Sequence, residues 1–165
     1  MSETNLDELD SKILRLISNN ARISFLEVAR LCGVSGAAVH QRIQKMAANN
    51  IIVGSEFTLN LNRIGYETCA YVNLYFDPTT NIEAAVEEIK KIPEIVECHY
   101  TTGPYDLLVK VYAHNNSHLH ELIQGKLRPL GLSRSESTIS YRESFRRQMM
   151  LEADVDLPES GEQTL

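Results

Sequence analysis

Tryptophan is absent from this 165-residue chain, and cysteine is scarce. Cys32, Cys69 and Cys98 lie far apart, with no C-x-x-C pair among them. That argues against a disulfide framework or a zinc knuckle and suits a reducing, cytoplasmic compartment. No run approaches the ~18 apolar residues of a membrane span. The opening MSETNLDELD is polar and acidic, unlike a signal peptide, so no membrane partner is expected. There is no P-loop, no G-x-S-x-G elbow and no G-x-G-x-x-G fingerprint. No paired acid and base suggests catalysis, so the expectation is a protein that is not an enzyme and carries no cofactor or metal.

Acidic residues are nearly missing from one stretch. Residues 11–55 hold Lys12, Arg15, Arg22, Arg30, Arg42 and Lys45 against Glu27 alone, although the whole chain carries a net charge of -6. Residues 151–165 hold five acids and no base. A basic patch on an acidic protein is a workable phosphate-binding surface. The acidic end, 149–165, is expected to be a disordered, solubilising tail. Hydrophobic residues make up 43% of the chain, enough to bury a core.

Within residues 1–54 the apolar spacing predicts three helices. Leu9, Ile13, Leu16 and Ile17 recur at helical intervals, with Asp7, Glu8 and Asp10 in the first turn. Ser24 followed by Glu27 forms a capping-box pattern, and Ile23 and Val28 stand at the places of a hydrophobic staple. Gly33 ends the second helix and Ser35 caps the third, whose Val39, Ile43 and Met46 share one face. This is a helix-turn-helix of winged-helix-like type. The stretch LCGVSGAAVHQRI leaves a slim, polar outer face on the third helix. In such motifs the second helix of the pair lies in the DNA major groove. Ser35, Gly36 and Ala37 let the helix N-terminus approach the duplex. His40, Gln41 and Gln44 project as base readers, since Gln can pair with adenine. Arg42 and Lys45 are expected on phosphates. The proposed partner is double-stranded DNA.

A connecting strand or linker is expected over 55–66, and a second domain over 67–148. Residues 68–76 alternate with period 2. Residues 82–92 read as a helix ended by Pro93, 95–101 and 107–112 as strands, 117–127 as a helix and 132–145 as containing a fourth strand. The order β-α-β-β-α-β is ferredoxin-like, giving an α+β class overall. The sheet face bearing Tyr71 and Tyr75 is too apolar to stay wet, and a two-fold homodimer is the expected cover.

With both halves in place, the chain resembles the Lrp/AsnC (feast/famine) transcriptional regulators from about Leu6 to Arg147. LDELDSKIL (6–14) resembles the family's LDxxDxxIL opening, and ARIS (21–24) the stretch before its second helix. GVSGAAVHQRIQKM (33–46) is similar to G-[LV]-S-x-x-x-V-x-x-R-[IV]-x-x-L. ECHYTTGPYDLLVKV (97–111) looks like E-C-x-x-x-x-G-x-[FY]-D-x-[LI]. The resemblance implies a DNA-binding helix-turn-helix joined to a ligand-sensing domain. It implies dimers that ring into octamers and take a small amino-acid effector where dimers meet. By that resemblance Gly103, Tyr105 and Asp106 belong to the effector loop. Ser135 and Ser137 take the places of a T-x-T segment, and Pro104 stands where the family often has an acidic or polar residue. AANN (47–50) replaces the family's L-E-x-x-G, for which a shifted turn is expected. The loop suits a zwitterion, with backbone N–H groups for its carboxylate and Asp106 for its ammonium.

His114, His118, His120 and Glu121 read as a solvated helix start rather than a metal site. Cys98 and His99, as strand neighbours, point to opposite faces. Two other functions stay open on the sequence: an architectural, nucleoid-type protein that wraps DNA with little sequence preference, and a metabolite-binding protein or enzyme without DNA binding.

Overall fold

The computed structural model describes residues 6–147 and Met149; the acidic stretch 151–165 lies outside the described residues. The chain divides into two compact units, one reaching to Thr58 and including the stretch from Arg146, the other Leu59–Phe145.

The first unit is three helices: α1 (Glu8–Asn19), α2 (Phe25–Cys32) and α3 (Gly36–Ala48). Their apolar stripes meet in a core of Ile13, Leu14, Leu16, Val28, Ala29, Val39 and Met46. Ser24 caps α2 by accepting from the Glu27 N–H at 3.1 Å, yet the expected reciprocal half of that box is missing. Glu27 instead binds Arg30 one turn on, through two bonds of 2.9 and 2.6 Å. The charged partner at i+3 outcompetes a neutral backbone donor. The reciprocal box stands at α1, where Asp7 accepts from the Asp10 N–H (2.7 Å) and Asp10 from the Asp7 N–H (3.4 Å).

Both α2 and α3 end in the same way. Gly33 adopts φ +68°, its N–H bonds the Arg30 carbonyl, and the Val34 N–H reaches back to Ala29. At α3 the residue with positive φ is Asn50, at 55°. Its N–H bonds Ala47 and the Ile51 N–H bonds Met46. This is the same left-handed closure, so the shifted turn expected at AANN does not occur. Asparagine takes the glycine's place because its short side chain tolerates the left-handed region. No strand follows: residues 53–60 have no regular structure and Leu61–Ile64 form a 3-10 turn. Of the two forms expected over 55–66, a connecting strand or a linker, the described residues show no strand. The run has the composition of a strand in 56–59, but among the described residues no neighbouring strand completes its hydrogen bonds.

In the second unit β1 (Thr68–Phe76), β2 (Ile95–Tyr100), β3 (Leu107–Ala113) and β4 (Leu132–Ser140) make one antiparallel sheet in the order β2-β3-β1-β4. The two helices are α4 (Ile82–Ile89) and α5 (Asn116–Leu122). Ala70, Val72, Leu74, Val109 and Val111 form the buried face with Ile89, Ile92, Leu119 and Leu127. The helix expected over 117–127 changes form at Ile123. It widens into a π turn over Ile123–Leu127, then a 3-10 turn over Arg128–Leu130, closed by Gly131 at φ +93°. The widening keeps both Ile123 and Leu127 buried. Gly131 is required twice, by its φ and because a Cβ there would collide with the Thr80 side chain.

On the other sheet face Lys110 is only 5% exposed. Its ammonium lies 5.7 and 5.6 Å from the ring centres of Tyr71 and Tyr112 and 3.3 Å from Glu97 Oε1. Burial works against that charge, but the tyrosines and Glu97 outweigh it and raise the lysine above its usual value. At the start of α5 the rings of Tyr66, His114 and His118 stack in file, at centroid spacings of 4.3 and 5.0 Å. His114 Nδ1 lies 2.7 Å from the Gly65 carbonyl, and the His114 N–H donates to His118 Nδ1 at 3.2 Å. Among the described residues no group of three or more His, Cys, Asp or Glu could hold a metal ion.

Candidate nucleic-acid interface and effector loop

The turn from α2 to α3 sets the outer face of α3. Val39 and Met46 bury one side of the helix, and Ser35, Ala37, His40, Gln41, Gln44 and Lys45 are exposed on the rest. Gly36 is half-buried, and a Cβ on it would meet nothing within 4 Å. Its value is slimness, not a backbone requirement. The Ser35 hydroxyl accepts from the Ala38 N–H at 3.2 Å. Gly36 and Ala37 open the helix, so their own N–H groups have no carbonyl a turn earlier to bond. Together with the helix dipole they form an end that favours a phosphate.

Arg42 departs from its expected place on a phosphate. Its Nη1 donates to Asp7 Oδ2 at 2.5 Å and to Asp10 Oδ1 at 2.8 Å. Asp10 is buried, and Arg42 is half-buried. The two carboxylates that cap α1 thus also hold the middle of α3, and Arg42 positions the helix. The hydrogen bond from Arg42 is the main cause that holds the Asp7 carboxyl below its usual value, and the same bonds raise the guanidinium. The signal was present in the sequence only as two carboxylates in one motif and an arginine in another. Their partnership spans 32 and 35 positions, beyond any local pattern. Lys45 remains exposed on the outer face. Nearby, the ring of Phe25, at the first position of α2, meets that of His40 at 5.9 Å with a 48° tilt.

In the second unit the loop between β2 and β3 is closed by its own residues. Thr101 Oγ1 donates to the Tyr105 carbonyl at 2.8 Å, and the Asp106 N–H donates to the Leu74 carbonyl at 3.0 Å. Asp106 Oδ2 accepts the Phe76 N–H at 2.8 Å, so this carboxylate already fastens the loop to the end of β1. Tyr105 packs edge-on to Tyr75 at 6.2 Å, and the Tyr105 ring lies over Gly103, 3.4 Å from where a Cβ would stand. Ser135 and Ser137 pair with Leu74 and Val72 from the other side of β1. Loop and serines therefore share one end of the sheet with a single strand between them. A shallow groove there is lined by Arg128, Leu132, Ser133, Arg134 and Ser135. Arg134 stacks over Tyr75, whose hydroxyl donates to Glu136 at 2.9 Å; neither Tyr75 nor Arg134 stood out as a site residue in the sequence.

Comparison with known proteins agrees with both units. An AsnC-type helix-turn-helix domain matches residues 6–47, and an Lrp/AsnC ligand binding domain matches residues 69–150. The regulatory protein AsnC of Haemophilus influenzae is 31% identical over 82% of this chain and 90% of its own. The structure of E. coli AsnC superposes with a TM-score of 0.82 at 25% identity, covering 89% of this chain and 99% of that one. The feast or famine regulatory protein of M. tuberculosis, solved in complex with L-methionine, gives a TM-score of 0.84 at 23% identity over 89% and 100% of the two chains. With a helix-turn-helix domain and a ligand binding domain both matched in sequence, this chain belongs to the Lrp/AsnC family of transcriptional regulators.

Proposed function

We propose that the protein regulates transcription by sequence-specific binding of double-stranded DNA through α3, and that a small amino acid bound by its second unit modulates that binding. The outer face of α3 carries the first part: small residues, then His40, Gln41 and Gln44, on a helix clamped from behind by the pair of carboxylates on Arg42. Gln41 or Gln44 bidentate to adenine is worth about 1–3 kcal/mol against a wrong base. Lys45 contacts phosphate and adds affinity without choosing sequence.

The effector reading rests on the family's ligand binding domain and on the loop's chemistry. A carboxylate has about four acceptor sites, so Asp106 can hold Phe76 and still take an ammonium group. Ser135 and Ser137 supply hydroxyls on the far side of β1. The assembly proposed is a homodimer through the tyrosine face, built up to an octamer, acting in the cytoplasm on the nucleoid.

Calorimetric titration of the full chain against single amino acids tests the second part. One amino acid is expected to bind and to lose binding in Asp106→Asn, a change that keeps an acceptor for Phe76 but removes the charge. Heat unchanged by Asp106→Asn would take that residue out of the site. For the first part, His40→Ala with Gln41→Ala is expected to abolish sequence preference while residual binding to random duplex persists at low salt. A double variant that still selects the same operator would show another surface to be the reader.

A further inference from the structure

We propose that Phe25 is a positioning residue for DNA readout: its ring holds the His40 imidazole in the orientation that meets a base edge. The inference rests on the DNA-binding function above.

Phe25 is the first residue of α2 and 42% exposed. Its helical neighbours at i+3 and i+4, Val28 and Ala29, are buried against the core. Phe25 therefore extends the apolar stripe of α2 past the core and onto His40, the exposed residue after buried Val39. The rings meet at 5.9 Å and 48°, within the range of favourable tilted aromatic pairs. Nothing in the core requires an aromatic group here, since the ring packs at the rim. His40 has two rotatable side-chain bonds, and a solvent-exposed imidazole samples several rotamers. Only an orientation with a ring nitrogen toward the groove can donate to, or accept from, a base. Freezing a mobile side chain on binding costs discrimination, and a neighbour that freezes it beforehand returns it. In a docked helix-turn-helix the helix preceding the reader crosses the DNA backbone, so Phe25, on that helix, stays beside His40 when the motif is docked.

The test uses the full chain. An operator is first selected from randomised duplexes. Binding is then measured to a panel in which each base pair of the operator is changed, for the unaltered protein and for Phe25→Ala, Phe25→Tyr, Phe25→Leu, His40→Ala and the double variant Phe25→Ala/His40→Ala. Phe25→Ala should lose roughly 2- to 10-fold of discrimination, at the same base pair that His40→Ala relaxes, with binding to random duplex unchanged. Tyrosine should restore the preference. Leucine, which keeps the apolar stripe without the ring, should not, and covers the case in which alanine weakens the fold. The double variant should match His40→Ala alone, the signature of two residues acting through one contact. Equal losses on operator and random DNA, relaxation at a different base pair, full preference retained by leucine, or losses that multiply would each overturn the proposal. If the unaltered protein selects no operator at all, the DNA-reading function falls and takes this inference with it; if it does, and Phe25→Ala reads the same sequence as well, only this inference falls.

Discussion

At the scale of single residues, Arg42 changes the meaning of a charge count. Six bases against one acid in residues 11–55 suggest a phosphate-facing surface. Two of those bases are drawn inward: Arg15 is buried on α1, and Arg42 faces Asp7 and Asp10. Replacing Arg42 with alanine should therefore lower the melting temperature of the first unit and weaken DNA binding through a loosened helix. Lysine, with a point charge in place of a fork, should rescue only in part. Thermal melts with binding assays run well below the transition separate this from a lost phosphate contact. A phosphate contact would leave the melt unchanged and make the salt dependence shallower. The clasp also sets a pH dependence. Asp7 holds its proton more weakly in the folded chain than at its usual value of 3.8. Its contribution is complete above that value and is lost as pH falls through the lower, folded one. Urea midpoints followed down to about pH 3 should show this acid loss in the unaltered protein and a flatter profile in Arg42→Ala. Equal profiles would mean that the pair adds nothing.

At the scale of elements, the ends of helices are more informative than their middles. Asn50 replaces a glycine and keeps the closure at the end of α3. Alanine has no local hydrogen bond to offset a left-handed backbone, so Asn50→Ala should cost about 1–2 kcal/mol, and Asn50→Gly should cost nothing or stabilise. Denaturant unfolding decides this, and an alanine variant as stable as the unaltered chain would refute it. The same level shows what was legible in sequence. β1 was, because Ala70, Val72 and Leu74 alternate with polar or partly exposed neighbours, and its observed limits, Thr68–Phe76, match that alternation. The α2–α3 turn was, because Gly33 and Ser35 are local signals. The run near residue 56 was legible only as a strand or a linker, since β-forming composition is a preference that needs a partner strand. Glu27 misled for a similar reason: a capping pattern names candidates for a bond, and Arg30 offered a stronger one. The Arg42 clasp and the link from Asp106 to Phe76 were out of reach because both join residues that only the fold brings together.

At the scale of the whole molecule, the sheet face opposite the helices presents a buried cation at the centre of the proposed dimer contact. Lys110 sits between Tyr71 and Tyr112 and beside Glu97. A dimer through that face would remove the remaining water from the group, so a lysine whose charge is already paired with Glu97 and faced by two rings suits it better than a free one. Lys110→Glu would place two acids together at the face's centre. The mass by light scattering should then fall below that of the unaltered assembly at the same concentration. Retention of the full mass would place the subunit contact elsewhere. Lys110→Met, which keeps the length and apolar stem, should lose less of the assembly than glutamate does.

The file of rings at the start of α5 has opposite tautomers in adjacent histidines. A carbonyl can only accept, so the nitrogen of His114 against Gly65 carries its hydrogen, and His114 is the Nδ1–H form. His118 accepts at Nδ1, so when neutral it holds its hydrogen at Nε2, on the side of Glu94. The outward nitrogens of the two rings therefore differ in role: Nε2 of His114 is left as an acceptor, and Nε2 of neutral His118 as a donor on the side of Glu94. Two histidines four residues apart thus differ in kind, one offering an acceptor to whatever meets its outer edge and the other a donor, so the pair can be told apart by the ring nitrogen that bears hydrogen.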